Sequence, residues 1–342
     1  MTTQRNRRRA PAVSVLLPVR DAATTLPATL RSIARQRGTS FECVVVDDGS
    51  RDESVALVRA FAEQDARFRP LVRPRRGLVA ALNAGLEICR GRYVARMDAD
   101  DVMHRCRLVR QRAALERDPA LAAVGCHVRI FPRRALGPGM RAYEAWLCSL
   151  RGEADVRRDA FVECPIAHPT LFARCEAMRA LGYREAGWPE DYDWVLRALS
   201  RGLRLGVVPE RLLAWRADAT RLSRSSPTYA IDRFVACKAH FLAEGFLAES
   251  PAYVLWGHGG TGRALRSALA AHGRTPSHIV ELHPGRIGQH IHGAPVVPPD
   301  ALPRLPRRPL LVSVAGEAPR AQIRAALARM GFEEGRDFLC AA

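Results

Sequence analysis

The stretch Asp98-Ala99-Asp100-Asp101 follows an apolar run at 93–97 that reads as a short buried strand. Carboxylates projected from a strand's C-terminal end into a crevice cannot all stay ionised unless positive charge stands with them. A divalent cation carrying a phosphate-rich ligand supplies that charge. Hard oxygen donors suit Mn²⁺ or Mg²⁺, which keep waters and bind through one or two carboxylates plus substrate phosphates. An acidic loop in water has the same composition, so the motif needs its context. A second acidic pair, Glu190-Asp191, sits in Trp188-Pro189-Glu190-Asp191-Tyr192-Asp193-Trp194, ahead of a helical stretch at 195–200. Acids at a helix start cap it and meet its dipole, or serve as a base toward a hydroxyl.

The elements that position these residues follow from periodicity. Val13-Ser14-Val15-Leu16-Leu17 is a β-rich apolar run stopped by Pro18, and residues 22–36 carry Leu26, Leu30, Ile33 and Ala34 on one helical face. Residues 41–46 form a second buried strand ending in Asp47-Asp48-Gly49-Ser50, after which 54–61 is again helical. A third helix over 80–89 precedes the strand that ends at Asp98. Consecutive βα units predict a parallel sheet that binds ligands beyond the carboxyl ends of its strands.

Several segments together resemble a known family. Ser14-Val15-Leu16-Leu17-Pro18, Ser32-Ile33-Ala34-Arg35-Gln36, Val46-Asp47-Asp48-Gly49-Ser50-Arg51-Asp52, Ala81-Leu82-Asn83-Ala84-Gly85, Gly91-Arg92-Tyr93 and Asp98-Ala99-Asp100-Asp101 are similar, in order and spacing, to the successive motifs of family 2 glycosyltransferases. These are inverting enzymes of the GT-A fold, and the resemblance runs over residues 11–225. It implies a mostly parallel central sheet flanked by helices and a nucleotide-diphosphate sugar donor, UDP-linked by family precedent. It also implies a hydroxyl acceptor on a glycan, a lipid-linked molecule or a small molecule, and Mn²⁺ or Mg²⁺ as cofactor.

The same resemblance assigns roles by position. Pro18, Val19 and Arg20 line the nucleobase and ribose, although Arg20-Asp21 replaces the Tyr-Asn pair common in the family. Asp48 accepts a hydrogen bond from the base beside Asp47, and Arg76 approaches the nucleotide. Asp98 lies near the ribose and the metal, with Asp100 on the metal. Asp191 is the general base, and Glu190 neighbours it in acceptor binding. His168, in Cys164-Pro165-Ile166-Ala167-His168-Pro169-Thr170, contacts the acceptor or diphosphate, or else is structural. Arg216 reaches the diphosphate in Leu213-Ala214-Trp215-Arg216, a segment followed by Ser223; Asp218 stands where the family usually has histidine.

Composition bounds the remainder. A chain of 342 residues with 48% hydrophobic content suits two domains with full cores. No apolar run approaches the ~18 residues that span a bilayer, and the start lacks a signal peptide's apolar core, so a cytoplasmic protein is expected. The nine cysteines include no Cys-x-x-Cys and read as buried thiols. The net charge is +18, but Lys238 is the one lysine among 53 basic residues. So uniform an arginine bias is a background effect. No basic platform interleaved with aromatics is present, and no specific nucleic-acid partner is expected. A basic arm over residues 1–10, expected to be disordered, would favour peripheral contact with anionic lipid at the inner face of a membrane.

A helical connector is expected over 226–250, and then an α/β pattern restarts over 251–342. Tyr253-Val254-Leu255-Trp256 is a strand, Gly257-His258-Gly259-Gly260-Thr261-Gly262 a Gly-x-Gly-x-x-Gly turn and 263–271 a helix, and a second strand ends in Glu281. Glycines for a pyrophosphate and an acid for ribose hydroxyls are the parts of a dinucleotide site at Gly257, Gly259, Gly262 and Glu281. A strand at 310–314 and a helix at 319–330 complete a small Rossmann-like domain with no room for a dehydrogenase's substrate domain. The favoured reading of the turn is therefore a tight connection in a structural or oligomer-forming module, with no NAD(P) requirement. The alternative is an oxidoreductase or nucleotide sensor acting through this domain.

Overall fold

The computed structural model describes residues 10–218 and 226–342. Residues 1–9 of the expected basic arm, and Ser223, lie outside the described residues. Two compact units emerge, each drawn from separated stretches of chain. One runs to Glu153 and takes in Ile166–Glu185 and the segment from Gly202; the other comprises Ala154–Pro165, Ala186–Arg201 and the stretch that ends at Ala342. Segments 154–165 and 186–201, expected within a domain at 11–225, therefore group with the C-terminal half.

The first unit is built on an eight-stranded sheet of β1 (Val13–Val19), β2 (Phe41–Asp48), β3 (Phe68–Arg73), β4 (Tyr93–Arg96), β5 (Val102–Met103), β6 (Leu121–Phe131), β7 (Phe172–Arg174) and β8 (Arg204–Arg216). Their order is β3-β2-β1-β4-β7-β6-β8-β5. The β3-β2-β1-β4 half is parallel, whereas β7 is antiparallel to both β4 and β6. Helices α1 (Leu26–Ala34), α2 (Ser54–Gln64), α3 (Leu78–Ile88), α4 (Arg107–Arg117) and α5 (Pro138–Leu147) follow in chain order. After α6 (Glu153–Arg158), which begins where the first stretch of this unit ends, comes α7 (Cys175–Leu181).

β1 and β2 are buried almost throughout, as strands covered on both faces must be. Helix α3 reaches them through Gly85, where a Cβ would lie 2.4 Å from Leu16 Cδ1 and 2.6 Å from Val46 Cγ2. Pro18 does not stop β1. The ladder with β4 ends at Leu16↔Arg96, so a missing N–H at Pro18 breaks no pair on that side. Helix α1 starts later than expected because a turn at Ala22, closed by Thr25 N–H to Ala22 O at 3.0 Å, precedes it. Strand β3, with no clear apolar run, is an edge strand containing Pro70.

The second unit carries β9 (Ala252–Trp256), β10 (Thr275–Val280), β11 (His290–Ile291), β12 (Ala294–Val297), β13 (Leu310–Val312) and β14 (Phe338–Cys340), ordered β11-β12-β10-β9-β13-β14. All its pairings are parallel except β11 with β12. Strand order reverses at β9, a switch point of the kind that places ligand crevices in open α/β sheets. Helices α8 (Glu190–Ser200), α9 (Ile231–Glu244), α10 (Gly260–Ala270) and α11 (Glu317–Arg329) belong to this unit. Its core joins Leu242, Leu247, Tyr253, Leu255, Leu269 and Leu311. Among the described residues no helix is long and apolar enough to cross a membrane.

Candidate active site

The carboxyl ends of β1, β2 and β4 come together in the first unit, and short polar residues tie their loops. Asp21, at φ 46°, accepts from Arg51 N–H at 2.7 Å and donates its own N–H to Ser50 Oγ at 3.0 Å. Ala22 and Ala23 donate to Ser54 Oγ and Asp52 Oδ2. The loop after Pro18 is thus latched to the loop after β2 at several points. Asp47 holds its own turn, accepting from the Gly49 and Ser50 amides at 3.1 and 3.0 Å and from Ser50 Oγ at 2.5 Å. Asp48 accepts from Arg76 N–H at 2.7 Å and Gly77 N–H at 2.9 Å. Both acids therefore shape the crevice wall through the main chain, which their spacing in sequence did not reveal.

Asp98, Asp100 and Asp101 each place a carboxylate oxygen within 4.8 Å of the others. The loop that carries them is fastened from α1, where Thr25 Oγ1 donates to Ala99 O at 3.1 Å and Thr29 Oγ1 donates to Ala99 O and Asp101 O at 2.9 and 2.8 Å. It is fastened again from β8. Arg216 donates its N–H to Asp101 Oδ1 at 2.7 Å and its Nε to Asp100 O at 2.8 Å, with the guanidinium 4.7 Å from the centre of the Phe131 ring. Arg216 is thus brought against the acidic loop.

Two buried arginines missed in the sequence stand behind this loop. Arg96 Nη1 lies 2.5 Å from Asp98 Oδ1. Arg107, fully buried, donates to Arg96 O at 3.0 Å, to Met97 Sδ at 3.4 Å and to Gln111 Oε1 at 2.8 Å. Burial lowers the Arg107 pKa; the carboxylates of Asp101 and Asp98 favour its charged form and the neighbouring Arg96 opposes it. The oxygen donor set that remains is a hard one and fits Mn²⁺ or Mg²⁺.

Other expected residues divide. Val19 is 2% exposed and packs in the core cluster, with its main chain at the carboxyl end of β1. Pro18 is half-buried, and Arg20 and Arg76 are exposed at the crevice loops. His168 is buried, with Nε2 3.0 Å from the Tyr183 hydroxyl. Tyr183 in turn exchanges two hydrogen bonds with Asn83 at 2.8 and 2.9 Å, which gives the Asn83 motif a structural partner.

In the second unit α8 begins at Glu190 itself. Its N-cap is Pro189, and no side chain caps it. Glu190 is buried and accepts from the Tyr229 hydroxyl at 2.5 Å, whereas Asp191 is half-buried and its Oδ1 accepts from Tyr192 N–H at 2.7 Å. Asp193 is the structural acid, taking Trp188 Nε1 at 2.9 Å and Arg197 Nε at 2.6 Å.

The family model described as Glycosyl transferase family 2 matches residues 14–182. Residues 14–182 form a glycosyltransferase family 2 domain. EpsE of Bacillus subtilis (strain 168), which bears a glycosyltransferase name, is 29% identical over 231 residues, covering 66% of this chain and 80% of EpsE. Among solved structures, the mannosyltransferase PcManGT from Pyrobaculum calidifontis, in complex with GDP-Man and Mn²⁺, is similar at a TM-score of 0.53 and 20% identity, over 96% of this chain and 82% of that one. S. aureus TarS 1–349 in complex with UDP-GlcNAc is similar at a TM-score of 0.53 and 16% identity, over 76% and 72%. At these identities the structural likeness is one of fold. The protein is a glycosyltransferase enzyme, and the family match spans β1 to α7, including every residue of the acidic loop.

Proposed function

We propose that this glycosyltransferase is inverting and metal-dependent, moving a sugar from a nucleoside-diphosphate donor, UDP-linked, to a hydroxyl of a glycan, lipid-linked or small-molecule acceptor. The observation that supports it is the convergence of Asp98, Asp100 and Asp101 within 4.8 Å, beyond the carboxyl end of a parallel strand. In this reading Asp98 and Asp100 hold Mn²⁺ or Mg²⁺, and Asp101 ties β8 to the loop. The bound ion supplies Lewis-acid stabilisation to the charge that develops on the diphosphate leaving group. Pro18, the Val19 main chain and Arg20 line the nucleoside, on a wall shaped by Asp47 and Asp48. Arg76 and Arg216 add positive charge toward the phosphates.

Asp191 is the base of this reading, with Glu190 beside it toward the acceptor. A hydroxyl of very high pKa loses its proton only as its oxygen bonds to the anomeric carbon. The proton passes to the Asp191 carboxylate, the new glycosidic bond forms, and the bond to the diphosphate breaks with inversion. Such base catalysis contributes ~10²–10⁴ in rate. A panel of nucleotide sugars, assayed for nucleoside diphosphate release with Mn²⁺, with Mg²⁺ and with EDTA, tests the proposal. Release that persists undiminished in EDTA would overturn the metal-dependent reading.

A further inference from the structure

The turn between β9 and α10 contains glycines that the protein needs for different reasons. Gly257 has φ +93°, and a Cβ there would lie 2.5 Å from Val314 Cγ2. At Gly262 a Cβ would lie 2.2 Å from Gly257 O and 2.7 Å from Ser313 Oγ. These two close the turn and seat the helix against the strand. Gly259 is different. Its φ of −76° is open to any residue, and a Cβ there meets nothing within 4 Å. A close approach explains Gly257 and Gly262, whereas at Gly259, as at Gly260, a side chain would meet open space. In a phosphate-binding turn, the position without a side chain is where a pyrophosphate approaches the backbone.

Gly259 is also the N-cap of α10, an eleven-residue helix with no acidic residue in its first turn and no side-chain cap. Its first N–H groups therefore face outward at the positive end of the helix dipole. His258, in the turn itself, is 5% exposed, and its Nε2 has no hydrogen-bond partner among the described residues. Burial, and then the charges of Arg266, His292, Arg263 and Arg286, push the His258 pKa down. Glu281, at the end of β10, fixes the other side. Its Oε1 accepts from His258 N–H at 3.0 Å and pairs with Arg286 Nη1 at 3.2 Å. A buried imidazole nitrogen without a partner among the described residues and an uncapped helix start leave polar groups that an anion could satisfy.

We propose that the β9–α10 turn is a second ligand site, binding the diphosphate of a nucleotide on the main chain of residues 259–262, with Glu281 toward its ribose. This site lies wholly within the second unit and stands independently of the donor site built on Asp98 and Asp100.

The test uses the full chain carrying Asp98→Asn and Asp100→Asn, in EDTA, so that metal-dependent donor binding is disabled. Calorimetry with ADP, UDP and NAD⁺, and with inorganic pyrophosphate as the phosphate-only arm, is compared with the same chain bearing Gly259→Val or Arg263→Gln. We expect at least one nucleotide to bind at one site per chain, and Gly259→Val to weaken it by about tenfold or more. The melting temperature without ligand should fall only by what valine in place of an N-cap glycine costs, since the new side chain meets open space. Absence of binding by all three nucleotides, unchanged affinity in Gly259→Val, or pyrophosphate binding as tightly as the nucleotides would overturn the proposal.

Discussion

Replacing Asp191 with Asn separates the base from the helix-start acid by size of effect. Because Pro189 is the N-cap and no side chain caps α8, the substitution removes no cap. The carboxylate oxygen that accepts Tyr192 N–H at 2.7 Å becomes an amide oxygen able to accept the same bond. What α8 loses is one negative charge near its N-terminus, worth ~0.3–1 kcal/mol. A lost general base costs ~10²–10⁴ in turnover, which is about 2.7–5.5 kcal/mol in barrier height. The catalytic loss therefore exceeds the stability loss several-fold. Nucleoside diphosphate release at saturating donor and acceptor measures kcat, calorimetry with the donor measures ground-state binding, and thermal melting measures stability. We expect kcat to collapse, with donor affinity unchanged and melting lowered by a few degrees at most. A folded Asp191→Asn enzyme that turns over within about threefold of the parent would refute the assignment.

Three further outcomes follow from the geometry. Asp100→Asn removes one of the carboxylates that converge within 4.8 Å, so metal-dependent donor affinity should drop while the melting temperature without metal holds; equal affinities in calorimetry would remove Asp100 from the site. Gly85→Ala gains up to ~1 kcal/mol of helix propensity but forces a Cβ to within 2.4 Å of Leu16, an overpacking worth ~1–3 kcal/mol, so denaturant unfolding should show net destabilisation. Burial opposes ionisation of Glu42, yet the Ser14 hydroxyl, the Arg90 N–H and the Arg90 and Arg69 guanidiniums together hold its pKa below the ordinary value. A depressed pKa stabilises the fold above the unfolded-state value, and that stabilisation fades as pH falls through the folded one. Melting curves of Glu42→Gln should therefore lose less on acidification than the parent's, and parallel curves would count against it.

The elements best legible in the sequence were those whose burial is two-sided or whose periodicity is clean. The apolar cores of β1 and β2 and the apolar face of α1 were such cases, as were the strand, glycine turn and helix that open the C-terminal sheet. The misses have local causes. Edge strand β3 breaks its apolar residues with two arginines and a proline, and the 131–159 segment hides α5 and α6 behind mixed composition. Helix α8 starts several residues before its periodic part because Glu190 and Asp191 are helical despite their charge. The grouping of 186–201 with the C-terminal half could not be read from linear order, since α8 packs on α9 across a long separation in sequence.

The acidic loop shows why a motif gives the ligand atoms but not their support. Three carboxylates in mutual reach repel one another, and positive charge from the protein offsets part of that repulsion. That charge comes from Arg96 on Asp98 and from fully buried Arg107, which holds the Arg96 carbonyl and is itself oriented by Gln111. In the sequence both are ordinary members of a set of 53 basic residues, and nothing in their spacing distinguishes them from surface arginines. Only the fold removes them from water, and only burial makes a charge there consequential: a guanidinium at the surface is screened, whereas one below the loop is not. The same reasoning explains why Asp101, fully buried and bonded to the Arg216 amide, belongs to the frame of the loop as much as to its ligand face.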